Sequence, residues 1–274
     1  MNTEKTEHIS LSVSCVVYDT DYNILATTIE SLGNAVQEAI KQNKLHDFCF
    51  YLINNNTTSN AFQQASALAE SLFKKVEILN GHGNIGYGRA NNLAIKKAHS
   101  DFHLILNPDV KIDVAALYEG IKFLVQHPDV DLVAPSATNH LGENELLAKR
   151  MPNPLIIMLR GINNATLNRL FKKQLDWYTY KDKLPAKEPL EIELASGCFM
   201  LCRTKTLKKI NGFSPEYFLY FEDFELSRRM AKKILLPKMK IVHLGGNTAK
   251  KGLKHIKLFL KSYFIFLRSN KKNN

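Results

Sequence analysis

Between residues 11 and 110 the chain repeats one device four times: an apolar run that stops on a polar cluster, followed by apolar positions at helical spacing. "LSVSCVVYDT" ends on Tyr18 and Asp19 before "ILATTIESLGNAVQEAIKQ". "FCFYLINNNTTSN" reaches Ile53, then Asn54, Asn55, Asn56, Thr57 and Thr58, before "AFQQASALAESLFKK". "VEILN" opens through "GHGNIG" into "RANNLAIKKAHS", and "FHLILNPDV" is the fourth run. Strands that alternate with helices in this way predict a parallel α/β sheet covered on both faces.

Open sheets of this kind bind ligands in the crevice beyond the carboxyl ends of their strands. The polar clusters lie at those ends: Tyr18 and Asp19, Asn54 and Asn55, Gly83 and Asn84, Asn107 and Asp109. Any one of them reads equally as an N-cap or a turn. Four at matching ends point to a nucleotide-type site.

In "NPDV" Pro108 has no N–H, so strand pairing must end there. It also biases Asn107 toward an extended backbone, which lets the side chains of residues 107 and 109 project to one side. An amide oxygen and a carboxylate so placed suit a hard divalent cation, Mg²⁺ or Mn²⁺, completed by substrate phosphates. The same tripeptide also reads as an Asx-Pro turn. "GHGNIG" matches the dinucleotide fingerprint, but it follows the third strand and its helix starts only near Gly88. It reads better as a loop that lets backbone and Arg89 approach a nucleotide diphosphate. An NAD-dependent oxidoreductase is the alternative resting on that loop.

From about residue 138 to 192 the rhythm breaks, with four prolines and an aromatic knot at Trp177, Tyr178 and Tyr180, which predicts a surface excursion, partly helical. Regular structure returns with "IELASGCFMLCR", a strand-like run broken at Ser196 and Gly197, then a helix over 204–210 and the turn "NGFSPE". "YFLYFEDFELSRR" sets Glu222, Asp223 and Glu225 among aromatic residues, which raise a carboxylate's pKa and strengthen it as a general base. It also reads as a helix N-terminus, where acids complement the backbone dipole. His243 closes an apolar run in "KIVHLGGN", as a structural residue or, given a cation site, a ligand.

The formal charge of +11 is concentrated at one end: residues 201–274 carry 18 Lys and Arg against 4 Asp and Glu, net +14, leaving −3 for the rest. The tail has no recognisable nucleic-acid reading motif, so nucleic acid is the weakest of the partners that charge suggests. Its segment "KKGLKHIKLFLKSYFIFLRSNKKNN" sets Leu253, Ile256, Leu260, Tyr263, Phe264 and Leu267 on one helical stripe and Lys250, Lys254, Lys257, Lys261 and Arg268 on another. That is a basic amphipathic helix, suited to an anionic bilayer surface or to packing on the domain. Four cysteines without a C-x-x-C pair read as reduced structural thiols, and no run is long enough to span a membrane.

Taken together these motifs resemble glycosyltransferase family 2, over about residues 11–110 and 193–270. "SCVVYD", "LINNNTTS", "GNIGYGRANN" and "LNPDV" are similar to its opening strand, its Val-Asp-Asn segment, its Gly-rich loop and its metal-binding Asp-x-Asp position. "ASGCFMLCR" with "GFSPEYFLYFEDFELSRR" is similar to its Ser-Gly-Ala-Phe-Met and Glu-Asp patterns. Asp19, Asn54, Ser214 and Glu225 depart from it, standing where Asn, Asp, Asp and Asp are usual.

The resemblance implies the GT-A fold, a Rossmann-like mixed, mostly parallel sheet flanked by helices, over residues 1–248, with donor binding in 10–110 and acceptor binding and catalysis in 111–248. Residues 249–274 form the amphipathic appendage. It also implies an inverting transferase that uses a dTDP- or UDP-sugar, with a saccharide acceptor that is lipid-linked. Donor binding falls on Tyr18, Asp19, Asn54, Asn55, Gly83, Asn84, Arg89, Asn91, Asn107 and Gly197. Catalysis falls on Asp223 as base beside Glu222, and metal on Asp109 with His243. Within the family the look is nearest to bacterial rhamnosyltransferases of lipopolysaccharide O-antigen and surface polysaccharide synthesis, working on the cytoplasmic side as peripheral proteins of the inner face of the membrane.

Overall fold

The computed structural model describes residues 8–56, 60–162, 164–245 and 253–271. The first half runs β1 (Ser10–Val17), α1 (Tyr22–Lys41), β2 (Asp47–Asn54), α2 (Asn60–Leu72), β3 (Val76–Leu79), α3 (Tyr87–Lys97), β4 (Phe102–Leu106), β5 (Val110–Ile112), α4 (Ala116–Gln126) and β6 (Leu132–Asn139). The second runs β7 (Asn144–Glu145), α5 (Pro154–Ile162), α6 (Ala165–Leu170), α7 (Lys172–Tyr178), β8 (Leu190–Glu191), β9 (Phe199–Arg203), α8 (Thr204–Lys209), α9 (Glu222–Arg228), β10 (Lys233–His243) and α10 (Leu253–Lys271).

All ten strands share one sheet in the order β3-β2-β1-β4-β9-β6-β10-β5, with β7 on β6 and β8 on β10. The pairs β3–β2, β2–β1, β1–β4 and β6–β10 are parallel, while β9 runs antiparallel to both β4 and β6. The sheet is therefore mixed and mostly parallel, as the strand–helix alternation predicts. The reversal of β9 matters for function. It brings the residues ahead of that strand to the edge where its neighbours end, and Asn107 N donates to Cys198 O at 2.9 Å.

Side chains alternate across the sheet with the period of two that a strand imposes. Leu104 and Leu106 of β4 pack into one core with Leu25 and Ile29 of α1 and Ile121 of α4. Ile105 between them packs into the other with Ile95 of α3, Leu207 of α8 and Leu226 of α9. Both faces are covered, and so the strands read as continuous apolar runs.

Residues 138–192 are more than a surface excursion. Arg150 is buried, forks onto Asp182 at 2.8 and 2.9 Å, and lies over the rings of Tyr180 and Trp177 at 4.0 and 4.9 Å from their centroids. The aromatic knot is an anchor for a buried cation, and it draws α5 to α7 onto the body.

The C-terminal helix also differs from its sequence reading. Phe259, Tyr263 and Phe266 turn inward against Phe221, while Ile256, Leu260 and Phe264 are 53, 46 and 61% exposed. Positions i, i+4 and i+7 from Phe259 fall on one stripe, and i, i+4 and i+8 from Ile256 on the next, so the single apolar stripe divides into two. Lys257, Lys261 and Arg268 are exposed, whereas Lys250 and the side chains of Leu253 and Lys254 lie outside the described residues. None of the described helices is long and apolar enough to cross a membrane.

Candidate active site

The polar clusters do converge on one edge of the sheet. Val17 pairs with Asn54 and Cys15 with Leu106, so Tyr18 and Asn55 follow side by side, with Asn107 two positions short of Tyr18 on the neighbouring strand. Tyr18 and Asp19 are exposed at the rim. Asn54 Oδ1 accepts from Asn56 N at 2.9 Å and closes a turn, while Thr57 and Thr58 lie outside the described residues. Asn55 is buried. Its Nδ2 donates to Gly86 O at 3.3 Å, and its Oδ1 has no partner.

The Gly-rich loop leads from β3 into α3. Gly83 has φ +64°, and the exposed Asn84 accepts from Gly86 N at 3.1 Å. Gly86 is required as glycine: its φ is +89°, and a Cβ would stand 2.4 Å from Phe218 O. Two of the proposed donor residues work here as scaffold. The Arg89 guanidinium donates to Pro215 O at 2.9 Å through Nε, tying α3 to the loop ahead of α9. Asn91 is fully buried, accepts from Ser14 Oγ at 2.7 Å and donates to Tyr87 O at 3.1 Å, so it reaches the crevice only through the helix it holds.

Across the crevice, α9 starts after two consecutive left-handed residues, Tyr220 (φ +71°) and Phe221 (φ +63°). Such a conformation costs about 1–3 kcal/mol per residue and persists only where surroundings enforce it. Here they do: the Phe221 ring lies 5.1 to 5.5 Å from those of Phe259, Tyr263 and Phe266. That turn presents Glu222 and Asp223 in the first turn of α9. Glu225, the third carboxylate, instead pairs with Arg229 at 2.7 Å and is structural.

Asp223 is held from both sides. Gly197 N donates to Oδ2 and Phe224 N to Oδ1, each at 2.8 Å. Gly197 is fixed in turn by Tyr87, whose hydroxyl donates to its carbonyl at 2.8 Å. A Cβ on Gly197 would come within 3.1 Å of Asp223 Cβ. Sequence reading assigned Gly197 to the donor; the structure sets it against Asp223.

Burial raises both carboxyls, but only Glu222 is further raised by its neighbour's charge, whereas backbone N–H groups and Lys149 favour the ionised Asp223. Glu222 Oε2 is buried without a partner. Burial disfavours the charge on both acids, and the two backbone N–H groups set Asp223 apart as the one whose carboxylate is held by hydrogen bonds. Both line a cavity of about 250 Å³ with Lys149, Tyr178, Tyr220 and Phe259.

Asp109 lies on the sheet side of the same edge. Its Oδ2 is 3.3 Å from His243 Nε2, its Oδ1 is buried without a partner, and a Cβ on Gly245 would collide with Oδ2. His243 Nδ1 lies 2.9 Å from both oxygens of Glu145. Burial disfavours the imidazolium, yet hydrogen bonds to Asp109, Cys198 and Glu145 outweigh it and lift His243 to about 12. The orphaned Asp109 oxygen fits a cation ligand, whereas His243, held as an imidazolium between Asp109 and Glu145, would have to give up its Nε2 proton to serve as the second. Among the described residues no group of three His, Cys, Asp or Glu is arranged to hold a metal, so the remaining ligands would have to come from a substrate's oxygens. Glu145 carried no sequence signal, being one residue of a two-residue strand. Gly197 and Cys198 join the two centres, one against Asp223 and the other against His243.

A family comparison matches residues 12–210 to the Glycosyl transferase family 2 model. The chain is 24% identical over 233 residues to an N-acetylglucosaminyl-diphospho-decaprenol L-rhamnosyltransferase of Mycobacterium tuberculosis, covering 79% of this chain and 73% of the relative. It is 24% identical over 160 residues to the rhamnosyltransferase WbbL of Escherichia coli K12, covering 54% of this chain and 55% of that one. Among solved structures, GalNAc-T7 with UDP, GalNAc and Mn²⁺ superposes with a TM-score of 0.62 at 13% identity over 94% of the chain, which spans 47% of that protein. S. aureus TarS 1-349 superposes with a TM-score of 0.56 at 15% identity over 96% of the chain and 74% of that structure. These likenesses give the chain the GT-A fold that its sequence motifs imply.

Proposed function

The chain belongs to glycosyl transferase family 2 and is a glycosyltransferase, and from that premise we propose that it is an inverting enzyme with Asp223 as its general base. The observation that carries this reading is the mount of Asp223. A buried carboxylate, fixed by two backbone N–H groups, lines a cavity beside Glu222, whose Oε2 is buried without a partner. In the reaction, Asp223 takes the proton of an acceptor hydroxyl as that oxygen bonds to the donor's anomeric carbon. The bond from that carbon to the diphosphate oxygen breaks, and the nucleoside diphosphate leaves.

The donor lies along residues 18–19, 54–55 and 83–84, where the strand ends and the Gly-rich loop form the crevice. A divalent cation held by Asp109 and His243 would neutralise the charge on the departing diphosphate. The rhamnosyltransferase relatives support L-rhamnose from dTDP-rhamnose as the sugar transferred, and the mycobacterial relative's name supports a saccharide on a lipid diphosphate as acceptor. The outward stripe of α10, Ile256, Leu260 and Phe264 beside Lys257, Lys261 and Arg268, supports docking on an anionic bilayer where such an acceptor resides. Surface polysaccharide or O-antigen assembly is the pathway class that follows.

Asp223→Asn tests the base. Turnover should fall about 10²- to 10⁴-fold with donor affinity nearly intact, measured by nucleotide release and calorimetry. Near-normal turnover in that variant would remove Asp223 from the role.

A further inference from the structure

Where α3 packs on the sheet, polar side chains lie buried among apolar ones. Ser12 and Ser14 of β1, His103 of β4 and Asn91 of α3 are all buried, in an interface where Ala90, Ala94 and Ile95 meet apolar strand residues. The four form one chain of hydrogen bonds. Ser12 Oγ lies 2.7 Å from His103 Nδ1, His103 Nε2 lies 3.0 Å from Ser14 Oγ, and Ser14 Oγ donates to Asn91 Oδ1 at 2.7 Å. Its direction follows from the protons available. A hydroxyl has one hydrogen and a neutral imidazole one N–H, and burial keeps His103 neutral. Ser14 gives its hydrogen to Asn91, so His103 Nε2–H donates to Ser14 and Nδ1 accepts from Ser12. Asn91, its oxygen taken, donates through Nδ2 to Tyr87 O at 3.1 Å.

Adhesion alone does not need such a chain, since apolar groups of the same shape would hold the helix as well. What the chain supplies is register. Small side chains such as Ala90 and Ala94 offer few knobs to lock a helix in place, whereas any slide of α3 would strand Ser14, Asn91 and His103 unpaired in the interior. A buried polar pair that fixes helix register is a well-attested use of such groups. The far side of α3 is tied as well: Asn92 donates to Phe213 O and accepts from Phe213 N, each at 2.8 Å, so the loop ahead of α9 follows the helix. One turn before Asn91, the Tyr87 hydroxyl donates to Gly197 O, and Gly197 N donates to Asp223. We infer that His103, Ser14 and Asn91 are positioning residues of the active site: they fix α3 on the sheet, and through the Tyr87 hydroxyl that register sets the posture of Gly197 and Asp223. The inference rests on the reading of Asp223 as the base.

The test is a double-mutant cycle on the full chain: Ser14→Ala in the wild-type and Tyr87→Phe backgrounds, with kcat read by nucleotide release across the acid limb. The other charged or titratable groups around Asp223 are Glu222, Lys149, Tyr87, Tyr178 and Arg160, and Ser14 bonds to none of them. In the wild-type background Ser14→Ala should lower kcat about fivefold or more. The acid limb should move to higher pH, because a loosened Gly197 N–H favours the carboxylate less. In Tyr87→Phe the tie to Gly197 is already cut, so the same substitution should change kcat by no more than about twofold. Effects that multiply in the double variant overturn the inference, since general loosening of α3 would produce them, and so does an unmoved limb in Ser14→Ala. His103→Gln keeps an N–H for Ser14 and should retain most of kcat, whereas His103→Leu should repeat the Ser14→Ala loss; equal kcat in the two overturns the role of His103. His103→Leu takes the place of Ser14→Ala in the cycle if that variant does not fold. If the acid limb survives in Asp223→Asn, the base reading has failed instead. The carboxyl ¹³C titration of Asp223 then decides the positioning, and a midpoint that Ser14→Ala leaves in place overturns it.

Discussion

Tyr87→Phe removes one oxygen and keeps the ring, which packs edge-on to Phe213 at 6.0 Å between centroids. The lost hydroxyl is the donor to Gly197 O, and Gly197 N is the donor to Asp223 Oδ2. A glycine has no side chain to fix its backbone, so these two hydrogen bonds set its orientation. Leaving the buried Gly197 carbonyl unpaired costs about 1–3 kcal/mol. If that cost falls wholly on the posture of Asp223 in the transition state, turnover drops about five- to 150-fold. The pH dependence follows with a definite sign. The Gly197 N–H lowers the pKa of Asp223 against the upward pull of burial, so loosening it raises that pKa. A base works above its pKa, and the acid limb of kcat therefore moves to higher pH. Nucleotide release at saturating substrates across the acid limb measures both effects, with donor affinity taken from calorimetry. Unchanged kcat with an unmoved limb would refute the relay. A loss matched by an equal loss of donor affinity would refute it too, by assigning the hydroxyl to the Gly-rich loop.

His103 is fully buried between the hydroxyls of Ser12 and Ser14 at 2.7 and 3.0 Å, and burial pushes it down to about 3. Below its unfolded value near 6.5 the unfolded chain binds the proton first, so stability falls by about 1.4 kcal/mol per pH unit. Urea midpoints should show His103→Gln less acid-sensitive than the wild type, and equal sensitivity counts against the buried neutral ring. Asp109→Ala should abolish calorimetric Mn²⁺ binding in the presence of nucleoside diphosphate; a wild type whose turnover ignores chelator sinks the cation site. The combination Ile256→Ser, Leu260→Ser and Phe264→Ser should lose co-sedimentation with anionic vesicles at unchanged Tm, and retained binding would place the membrane contact elsewhere.

The first four strands and their helices were legible because the hydrophobic period switches cleanly between two and 3.6 along residues 11–110. The direction of β9 was not, since a strand of five buried residues reads the same either way. Asp223 and Gly197 were each visible as motif residues, but their contact spans 26 positions and depends on that reversal. Glu145 reaches His243 across 98 positions through a two-residue strand, too short for any period to mark. Arg89 and Asn91 make contacts that the sequence does not show, for a local reason. They lie within one turn of a helix, and the helical period turns Asn91 to the sheet and Arg89 toward Pro215.

The two readings of α10, membrane surface or packed helix, are not exclusive, because each uses a different stripe. The inner stripe holds the turn that presents the two acids. Phe259, Tyr263 and Phe266 enclose Phe221, and Phe221 is the left-handed residue from which Glu222 and Asp223 start. Phe259 also forms part of the wall of the cavity beside Asp223. Removing the helix would therefore release the strained turn and open the cavity while also deleting the exposed outer stripe. Loss of activity on truncation carries no information about membranes in such a design. Substitutions confined to the outer stripe separate the roles, since Ile256, Leu260 and Phe264 project away from the Phe221 cluster while the inner stripe stays packed. One helix thus links the surface where a lipid-borne acceptor would arrive to the carboxylate that would activate it.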